Sequence, residues 1–389
     1  MKHILLVMLS AAMVAVAACG LGGSASPGGA SVDGGSGAGD TAGGAAGGTT
    51  GGEVIGSGGG GGVIITGGSE VDDSGDNSGG GSEEVVADDP VDGSPVDEGV
   101  SGEEIPTQTE RLQIVNKCSY SIWIQQQNMP SGVPSVIKLD AGGSAQWIIP
   151  AAGLAATRLW PKKGCDADGN NCLMGQSSPP CPPTGCPPPV DSKFEATWGC
   201  TLADVNQCAV NPSAPSQKLS GDTYWNTSAV DGYTFPFTAT VTDNTLPASI
   251  CSPVDCSALT MDQCPTNEDL SVGMSGSVNA LYSSLDLHLR NNLGELMGCY
   301  SPCPALTYPT YGGFGLSNTG TEAAMYCCPT PPVSPSECSA GPVETTQYVA
   351  RVRSMCGGTV YTYAYDDGDG LRQCSGATKV RLIIGPNCP

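Results

Sequence analysis

The chain has 389 residues, a formal net charge of −23 and two histidines, of which only His288 lies beyond the first few residues. The strong acidity disfavours a nucleic-acid partner, because phosphate backbones attract basic surfaces. With only His288 beyond the first few residues, a multi-histidine metal site is ruled out, and His288 would have to be the base of any Ser-His-Asp triad. Carboxylates are therefore the groups left to carry acid–base chemistry.

The first 19 residues have the three parts of a signal peptide: a basic start at Lys2 and His3, an apolar run over 4–14, and Val-Ala-Ala-Cys ending at Cys19. The apolar run is shorter than the roughly 20 residues that span a bilayer, so 1–18 are predicted to be a cleaved signal peptide. The last four residues resemble the bacterial lipobox. That resemblance implies lipidation of Cys19 and a membrane-anchored lipoprotein of the outer membrane or cell surface. The alternative is an incidental cysteine in an ordinary secretory signal.

Residues 20–106 are dominated by Gly, Ser, Ala and acids, with sixteen Asp and Glu and no Lys or Arg. Apolar residues cluster only in two short runs, at 62–65 and at 85–86. Such a segment cannot bury enough apolar surface to offset its loss of conformational entropy. The sequence therefore predicts a disordered, Gly-rich acidic linker with a reach of roughly 50 Å.

The remaining eighteen cysteines all lie between Cys118 and Cys388. An even number of cysteines in an exported chain predicts a disulfide framework. Zinc is the competing interpretation, but most spacings do not form Cys-x-x-Cys pairs, so no metal and no cofactor are expected. The strings 166–170 and 366–370 resemble fragments of calcium loops. Neither continues to the glutamate of an EF-hand, and turn chemistry explains both.

Residues 107–389 are long enough to form one domain with a real core. Short apolar runs alternate with Gly, Pro, Asn and Asp turns at both ends of this region, which favours strands. The segment 251–338 is dense in cysteine and proline. It also contains one helical pattern, with His288 inside it, formed by Val278, Leu281, Leu285, Leu289, Leu293 and Leu296. The predicted fold is all-β dominated: a β-sandwich with a disulfide-rich insertion that carries one amphipathic helix.

Several strings, taken in chain order, resemble the thaumatin-like proteins. They are Ile114–Trp123, Leu139–Gly143 with Trp147, Val230–Tyr233, Tyr326–Cys328 and Tyr361–Tyr363. The string at 194–200 is more similar to microbial members than to plant ones. The resemblance covers nearly all of 107–389 and implies the thaumatin-like β-sandwich.

The resemblance also implies how the cysteines pair. It joins Cys118 with Cys388, Cys165 with Cys172, Cys181 with Cys186, Cys251 with Cys374, Cys256 with Cys356, Cys264 with Cys299, Cys303 with Cys327, and Cys328 with Cys338. Cys200 and Cys208 remain, eight residues apart, and are expected to form an additional pair.

By motif position, the family's acidic cleft corresponds here to Arg158, Glu195, Asn226, Asp231 and Asp366. Asn226 stands where the family usually has an aspartate, so one charge is missing. Glycoside hydrolysis normally needs two carboxyl groups, and the surviving pair would be Glu195 as acid and Asp231 as base or nucleophile. The alternative is that these acids form structural hydrogen bonds held by Arg158.

Four aromatic residues adjoin these positions in the sequence, and two interpretations of them stay open. Trp160, Trp198, Trp225 and Tyr233 could stack on pyranose rings or could fill the core of a sandwich.

The resemblance supplies the expected ligand class, a β-1,3-glucan-type polysaccharide bound in the acidic cleft of a surface-tethered monomer. Weak endo-β-1,3-glucanase activity stays open. The alternative function is a non-catalytic surface module that binds a protein partner or inhibits a foreign hydrolase. The two functions can be distinguished by experiment: glucan binding should depend on the acids of the cleft, whereas protein binding should not.

Overall fold

A computed structural model of the chain describes residues 53–55, 62–66, 105–177, 189–273, 279–291, 293–309 and 311–389. Most of the regular structure is β-strand. The strands, numbered in chain order, are β1 Glu53–Ile55, β2 Gly62–Thr66, β3 Leu112–Asn116, β4 Ile122–Gln127, β5 Val136–Leu139, β6 Ser144–Ile148, β7 Leu154–Lys162, β8 Lys193–Trp198, β9 Asp222–Ser228, β10 Gly232–Tyr233, β11 Phe237–Thr242, β12 Val254–Cys256, β13 His288–Arg290, β14 Leu296–Tyr300, β15 Arg372–Ser375 and β16 Lys379–Ile384.

Two large sheets form the sandwich, and a small one lies beside them. The first has the order β1-β2-β6-β3-β16-β11-β12, the second β15-β9-β8-β7-β4-β5, and the third β10-β14-β13. Most neighbouring strands are antiparallel, whereas β3 and β16 are parallel and lie side by side in the first sheet. Apolar side chains from both large sheets share one core, among them Trp147 and Leu382 from the first and Phe194 and Trp225 from the second. The predicted β-dominated fold is confirmed.

Alternation along β8 decides which residues the second sheet turns outward. Phe194, Ala196 and Trp198 are buried in the core, whereas Lys193 and Glu195 are partly exposed. Side chains on a strand point alternately to the two faces of the sheet. The polar residues of this strand therefore lie on the outer face of the second sheet.

Helices are short and lie mostly in the cysteine-rich part of the chain. They are α1 Asn279–Tyr282, α2 Pro302–Thr307, α3 Ala324–Cys327, α4 Pro335–Ser339, α5 Gln347–Cys356 and α6 Asp367–Gly370, with 3₁₀ helices at Val205–Gln207, Met261–Gln263 and Pro342–Thr345. The longest, α5, begins after Thr346, whose side chain accepts a hydrogen bond from the backbone amide of Val349 at 3.3 Å. Such a cap satisfies one of the amides that a helix start leaves open.

The amphipathic helix predicted over 278–296 is wrong. Leu281 lies in the four-residue α1, while Leu289 and Leu296 lie on β13 and β14, which pair as a hairpin. At its turn, the side chain of Asn291 accepts hydrogen bonds from the backbone amides of Leu293 and Glu295, both at 2.9 Å. Asparagine side chains that bind nearby amides in this way compete with helix formation. Val278 lies outside the described residues.

Eight disulfide bonds staple the described part of the domain. They join Cys118–Cys388, Cys165–Cys172, Cys200–Cys208, Cys251–Cys374, Cys256–Cys356, Cys264–Cys299, Cys303–Cys327 and Cys328–Cys338. Seven of these pairs are the ones that the resemblance implies, and Cys200–Cys208 is the pair expected from the two remaining cysteines. The ninth pair, Cys181 with Cys186, lies outside the described residues. A chain so rich in disulfides suits an extracellular, oxidising environment.

The segment predicted to be a disordered linker contains two strands, so that prediction is wrong for these residues. Gly62–Thr66 pairs with β6, and Glu53–Ile55 pairs with Gly62–Thr66 in turn. The apolar run at 62–65 is the cause, because Val63 is wholly buried against the core. Within the described ranges, none of the helices is long and apolar enough to cross a membrane.

Candidate functional site

A polar row crosses the outer face of the second sheet on three adjacent strands. Arg158 of β7 is in register with Glu195 of β8, and Glu195 is in register with Asn226 of β9. Directly opposite residues on antiparallel strands have their side chains in contact. Arg158 Nε lies 2.7 Å from Glu195 Oε1, and the two side chains are 31% and 24% exposed. Three of the five predicted cleft residues are thus brought together, and we call them the polar row.

A bulge in β7 sets the position of Arg158. The pairing of β7 with β8 shifts register between Leu154 and Thr157, and Ala156 there has a left-handed backbone with φ of 56°. After the shift, Thr157 points inward and is buried, so Arg158 points outward. Such bulges re-aim side chains near sites.

Asn226 is the buried end of the polar row. Its side chain is 4% exposed, and its Oδ1 atom has no hydrogen-bond partner among the described residues. A buried carbonyl oxygen without a partner is costly. The substitution of an amide for the family's aspartate leaves an acceptor here without a charge.

Asp231 is engaged by a lysine that sequence reasoning missed. Lys193 Nζ lies 2.5 Å from Asp231 Oδ2 and also donates to the carbonyl of Pro189 at 3.1 Å. Burial lowers the pKa of Lys193, but the charges of Asp231 and Asp191 outweigh it and hold the pKa above its usual value. The available signal was the spacing, because Lys193 precedes Glu195 by two residues and so shares its face of β8.

Asp191 lies beside this ion pair and is wholly buried, and no sequence pattern marks it. Neither of its carboxylate oxygens has a hydrogen-bond partner in the described part of the chain. Burial raises the pKa of Asp191 to about 7; the charge of Lys193 opposes this rise, and that of Asp231 adds to it. A buried carboxyl with this pKa is partly protonated at neutral pH.

Asp366, the fifth predicted cleft residue, is held in a structural network. It is 4% exposed and accepts hydrogen bonds from Arg353 Nη2 at 2.9 Å and from the Thr362 hydroxyl at 2.7 Å. Burial raises the pKa of Asp366, and the bonds from Thr362 and Arg353 act in the opposite direction. Arg353 also binds Glu344 at 2.6 Å. Asp366 therefore anchors the 359–371 segment to α5.

Tyr361 belongs to the 359–371 segment and connects it to β9, beside the polar row. Its hydroxyl donates to Asp367, and its backbone pairs with Ser228 at the end of β9. Burial raises the pKa of Tyr361, and the charges of Asp367, Asp366 and Glu195 raise it further. The ring is partly exposed. Sequence reasoning noted this tyrosine only as part of a family string.

The four aromatic residues predicted either to stack on sugars or to fill the core are buried. Trp198 and Trp225 have no exposed surface, Tyr233 is 1% exposed, and Trp160 is 4% exposed with its indole N–H donating to the carbonyl of Gly175 at 3.0 Å. Buried indoles generally find such partners. Core packing accounts for Trp198, Trp225 and Tyr233, whereas Trp160, two residues after Arg158 on β7, is buried on the outer face of the second sheet.

Two other sequence signals have structural explanations. Asp166 Oδ1 accepts hydrogen bonds from the backbone amides of Asp168 and Asn170, at 3.1 and 2.7 Å, which is turn chemistry. His288 lies on β13, not in a helix, with Nδ1 2.6 Å from Asp286 and Nε2 3.1 Å from the Met261 carbonyl. The described residues contain no group of three or more His, Cys, Asp or Glu placed to hold a metal ion.

The arrangement can bind a polar ligand more readily than it can transfer protons. Glu195 accepts from Arg158, and Asp231 accepts from Lys193. A general acid must itself carry the proton that it donates. Two carboxylates that each accept from a cation offer hydrogen bonds and charge, which suit hydroxyl groups or charged side chains.

Comparison with known proteins gives a consistent result. The family model described as "Thaumatin family" matches residues 116–386. A glucan endo-1,3-beta-glucosidase of Prunus avium is 24% identical over 286 residues, which are 71% of this chain and 90% of the relative. Pathogenesis-related thaumatin-like protein 3.5 of Cryptomeria japonica is 26% identical over 276 residues, 68% of this chain and 85% of the relative. Among solved structures, a thaumatin-like xylanase inhibitor matches at 11% identity over 71% of this chain and 99% of its own, with a TM-score of 0.28, too low to carry an argument.

Proposed function

Because this chain belongs to the thaumatin family, we propose that it binds a β-1,3-glucan-type polysaccharide on the polar row and the adjoining Lys193–Asp231 pair. The observation that carries the proposal is the alignment of Arg158, Glu195 and Asn226 on three adjacent strands, on the outer face of the sheet. The row presents a guanidinium and a carboxylate to one ligand, and the buried amide of Asn226 closes its end.

The chemistry of these groups fits a carbohydrate. Sugar hydroxyls both donate and accept, and the row offers donors on Arg158 and acceptors on Glu195. Hydrogen bonds that involve a charged partner are about twice as strong as neutral ones. The partly exposed ring of Tyr361 lies beside the row and gives an apolar face of the kind on which a pyranose packs. The glucan class is taken from the glucan endo-1,3-beta-glucosidase to which the chain is similar.

Binding without hydrolysis is the form of the proposal that the geometry favours. Hydrolysis of a glycoside normally needs one protonated carboxyl and one carboxylate on either side of the bond. Glu195 and Asp231 are each paired with a cation, Asn226 carries no charge, and Asp366 is enclosed by Arg353 and Thr362. Glu195 and Asp231 thus each have one carboxylate oxygen bound to a cation, while Asn226 lacks a charge and Asp366 lacks access.

The test is retention of the purified chain on insoluble β-1,3-glucan, with release of reducing ends from laminarin measured in parallel. Glu195→Gln removes the charge and keeps the shape, so retention should weaken about 10- to 100-fold, the value of one charge-assisted hydrogen bond. Glu322→Gln is the matched control, because Glu322 is exposed and lies outside the row. Retention of the native chain without sugar release would support a binding module.

Two other results would change the proposal. Sugar release that disappears in Glu195→Gln would make the protein a hydrolase with Glu195 as an acting group. No retention of the native chain on any β-1,3-glucan would refute the glucan proposal.

Binding of a protein partner, including inhibition of a foreign hydrolase, is the second candidate. The observation in its favour is the alternation of charge on this face, with Arg158 and Lys193 interleaved with Glu195 and Asp231. Such mosaics of both signs are typical of electrostatic complementarity between proteins. Protein binding would be indifferent to competition by laminarin, whereas glucan binding would not.

We also propose that the chain is tethered by a lipid on Cys19. Cys19→Ser should move the protein from the membrane fraction to the soluble fraction and should abolish incorporation of labelled palmitate. Ser24→Ala is a control in the same segment and should leave both unchanged. Soluble native protein without label would show that Cys19 belongs to an ordinary secretory signal.

A further inference from the structure

A strand from the segment before the thaumatin-like domain extends the first sheet. Gly62–Thr66 pairs antiparallel with β6, from Gly62 opposite Ile148 to Thr66 opposite Ser144. The matched family region begins at residue 116, so this strand is not part of it. Without it, β6 would be an edge strand with a row of open backbone groups, which is a template for any extended peptide.

The pairing is supported by side chains on one face of the added strand. Val63 has no exposed surface and belongs to the same buried cluster as Trp147, and Ile65 packs partly against that cluster. Val63 and Ile65 are two apart and point to the same side, while Ile64 points to the other. The Thr66 and Ser144 hydroxyls lie 3.0 Å apart at the end of the pairing. The edge of β6 therefore offers both backbone groups and an apolar recess that Val63 fills.

A long connector separates this strand from the domain. Thirty-eight residues lie between Thr66 and Ile105, so chain geometry does not force Gly62–Thr66 into this position. Among the described side chains of this strand, only that of Val63 is wholly buried. A covalently linked strand has an effective concentration of roughly millimolar, so at low protein concentration it outcompetes the same strand of another molecule.

We propose that the edge of β6 is a reversible binding site for an extended peptide, occupied by residues 62–66 of the same chain and open to the same strand of a second copy when the first is displaced. This mode of recognition is strand addition, in which backbone bonds give affinity and a side-chain recess gives specificity. The recess selects a β-branched residue at the position of Val63.

The docked strand also determines which of the two large sheets the N-terminal segment joins. The strand lies on the first sheet, whereas the polar row lies on the outer face of the second. Glu53–Ile55 and Gly62–Thr66 therefore extend the sheet that does not carry the polar row.

The test compares three full-length chains: native, Val63→Asp and Ile64→Asp. The substitution is the same in both variants, but Val63 faces the core and Ile64 faces away. Hydrogen–deuterium exchange of the 62–66 peptide should be at least about tenfold slower than in an unstructured chain for the native protein and Ile64→Asp. In Val63→Asp it should rise to the unstructured rate. Equal, fast exchange in all three chains would overturn the proposal.

A second measurement tests the open edge directly. A fluorescently labelled synthetic peptide of residues 53–66 should bind Val63→Asp and should bind the native chain at least tenfold more weakly. A chain in which 62–66 are replaced by Gly-Ser-Gly-Ser-Gly should bind the peptide as Val63→Asp does, which removes dependence on one substitution. Failure of the peptide to bind either altered chain would show that the edge does not accept a strand from a second molecule.

Discussion

The Asp191→Asn variant is expected to keep its stability between about pH 4 and pH 7, where the native chain becomes less stable. The contribution of Asp191 to that loss is about 4 kcal/mol in the free energy of unfolding. Burial raises the pKa of Asp191 from 3.8 to about 7, and each unit of pKa corresponds to about 1.4 kcal/mol. Asparagine does not ionise and keeps nearly the same shape.

The sign follows from proton binding. Between pH 3.8, the pKa of Asp191 in the unfolded chain, and about pH 7, its pKa in the folded chain, the folded chain keeps the proton and the unfolded chain releases it. The folded state therefore loses stability as pH rises through this window, and the loss is complete above about pH 7. Urea unfolding at several pH values, followed by tryptophan fluorescence, measures the difference between native and variant chains at each pH.

Asp262→Asn is the matched control, because Asp262 is exposed and the same atoms are exchanged. Its curve should run parallel to that of the native chain. If Asp191→Asn also runs parallel to the native chain over the whole range, Asp191 is charged in the folded protein, and a counter-ion or water must reach it.

Arg353→Met is expected to lower the free energy of unfolding by about 3 kcal/mol, the cost of leaving a buried charge without its partner. Arg353 reaches Asp366 at 2.9 Å and Glu344 at 2.6 Å. Asp366 is 4% exposed, so water cannot replace the guanidinium. Methionine keeps most of the aliphatic length, and thermal or urea unfolding gives the change.

Arg351→Met separates this effect from the loss of any arginine on α5. Arg351 precedes Arg353 by two residues on α5 and therefore points to a different side of the helix. Its guanidinium donates to the Gln263 side chain at 3.2 Å, so the loss of stability should stay below about 1 kcal/mol. Adding Asp366→Asn to Arg353→Met should restore more than half of the loss, since the stranded charge is removed. Equal losses for the two arginine variants would mean that Asp366 finds another partner.

Patterns fixed by covalent chemistry or by strand alternation could be predicted from the sequence. The cysteine pairs in the described residues are those that the family resemblance implies. Glu195 and Asn226 were both assigned to the cleft by motif position, and the pairing of β8 with β9 places them side by side. The helix over 278–296 failed because leucines three and four apart also occur when a hairpin reverses the chain, and the turn at Asn291 outweighs the periodicity.

Contacts between residues distant in sequence could not be predicted. Asp366 was expected in the cleft, but Arg353 and Thr362 enclose it. Lys193 and Asp231 are 38 residues apart, and their pairing depends on where the chain after β9 returns to β8. Burial of Asp191 depends on the same return. Isolated charged residues in a sequence do not indicate which of them the fold will cover.

The parallel pairing of β3 with β16 determines how the domain responds to a mechanical load. Strands from the two ends of the domain run side by side over five residue pairs, and a disulfide joins Cys118 to Cys388 just beyond them. Once β1 and β2 have detached, a pull on the N-terminal segment acts along β3, so the hydrogen bonds of β3 are loaded together in shear and are not opened one after another. Once β3 yields, the disulfide stops the extension within a few residues. The second sheet would therefore remain part of a folded scaffold while the N-terminal segment is under tension.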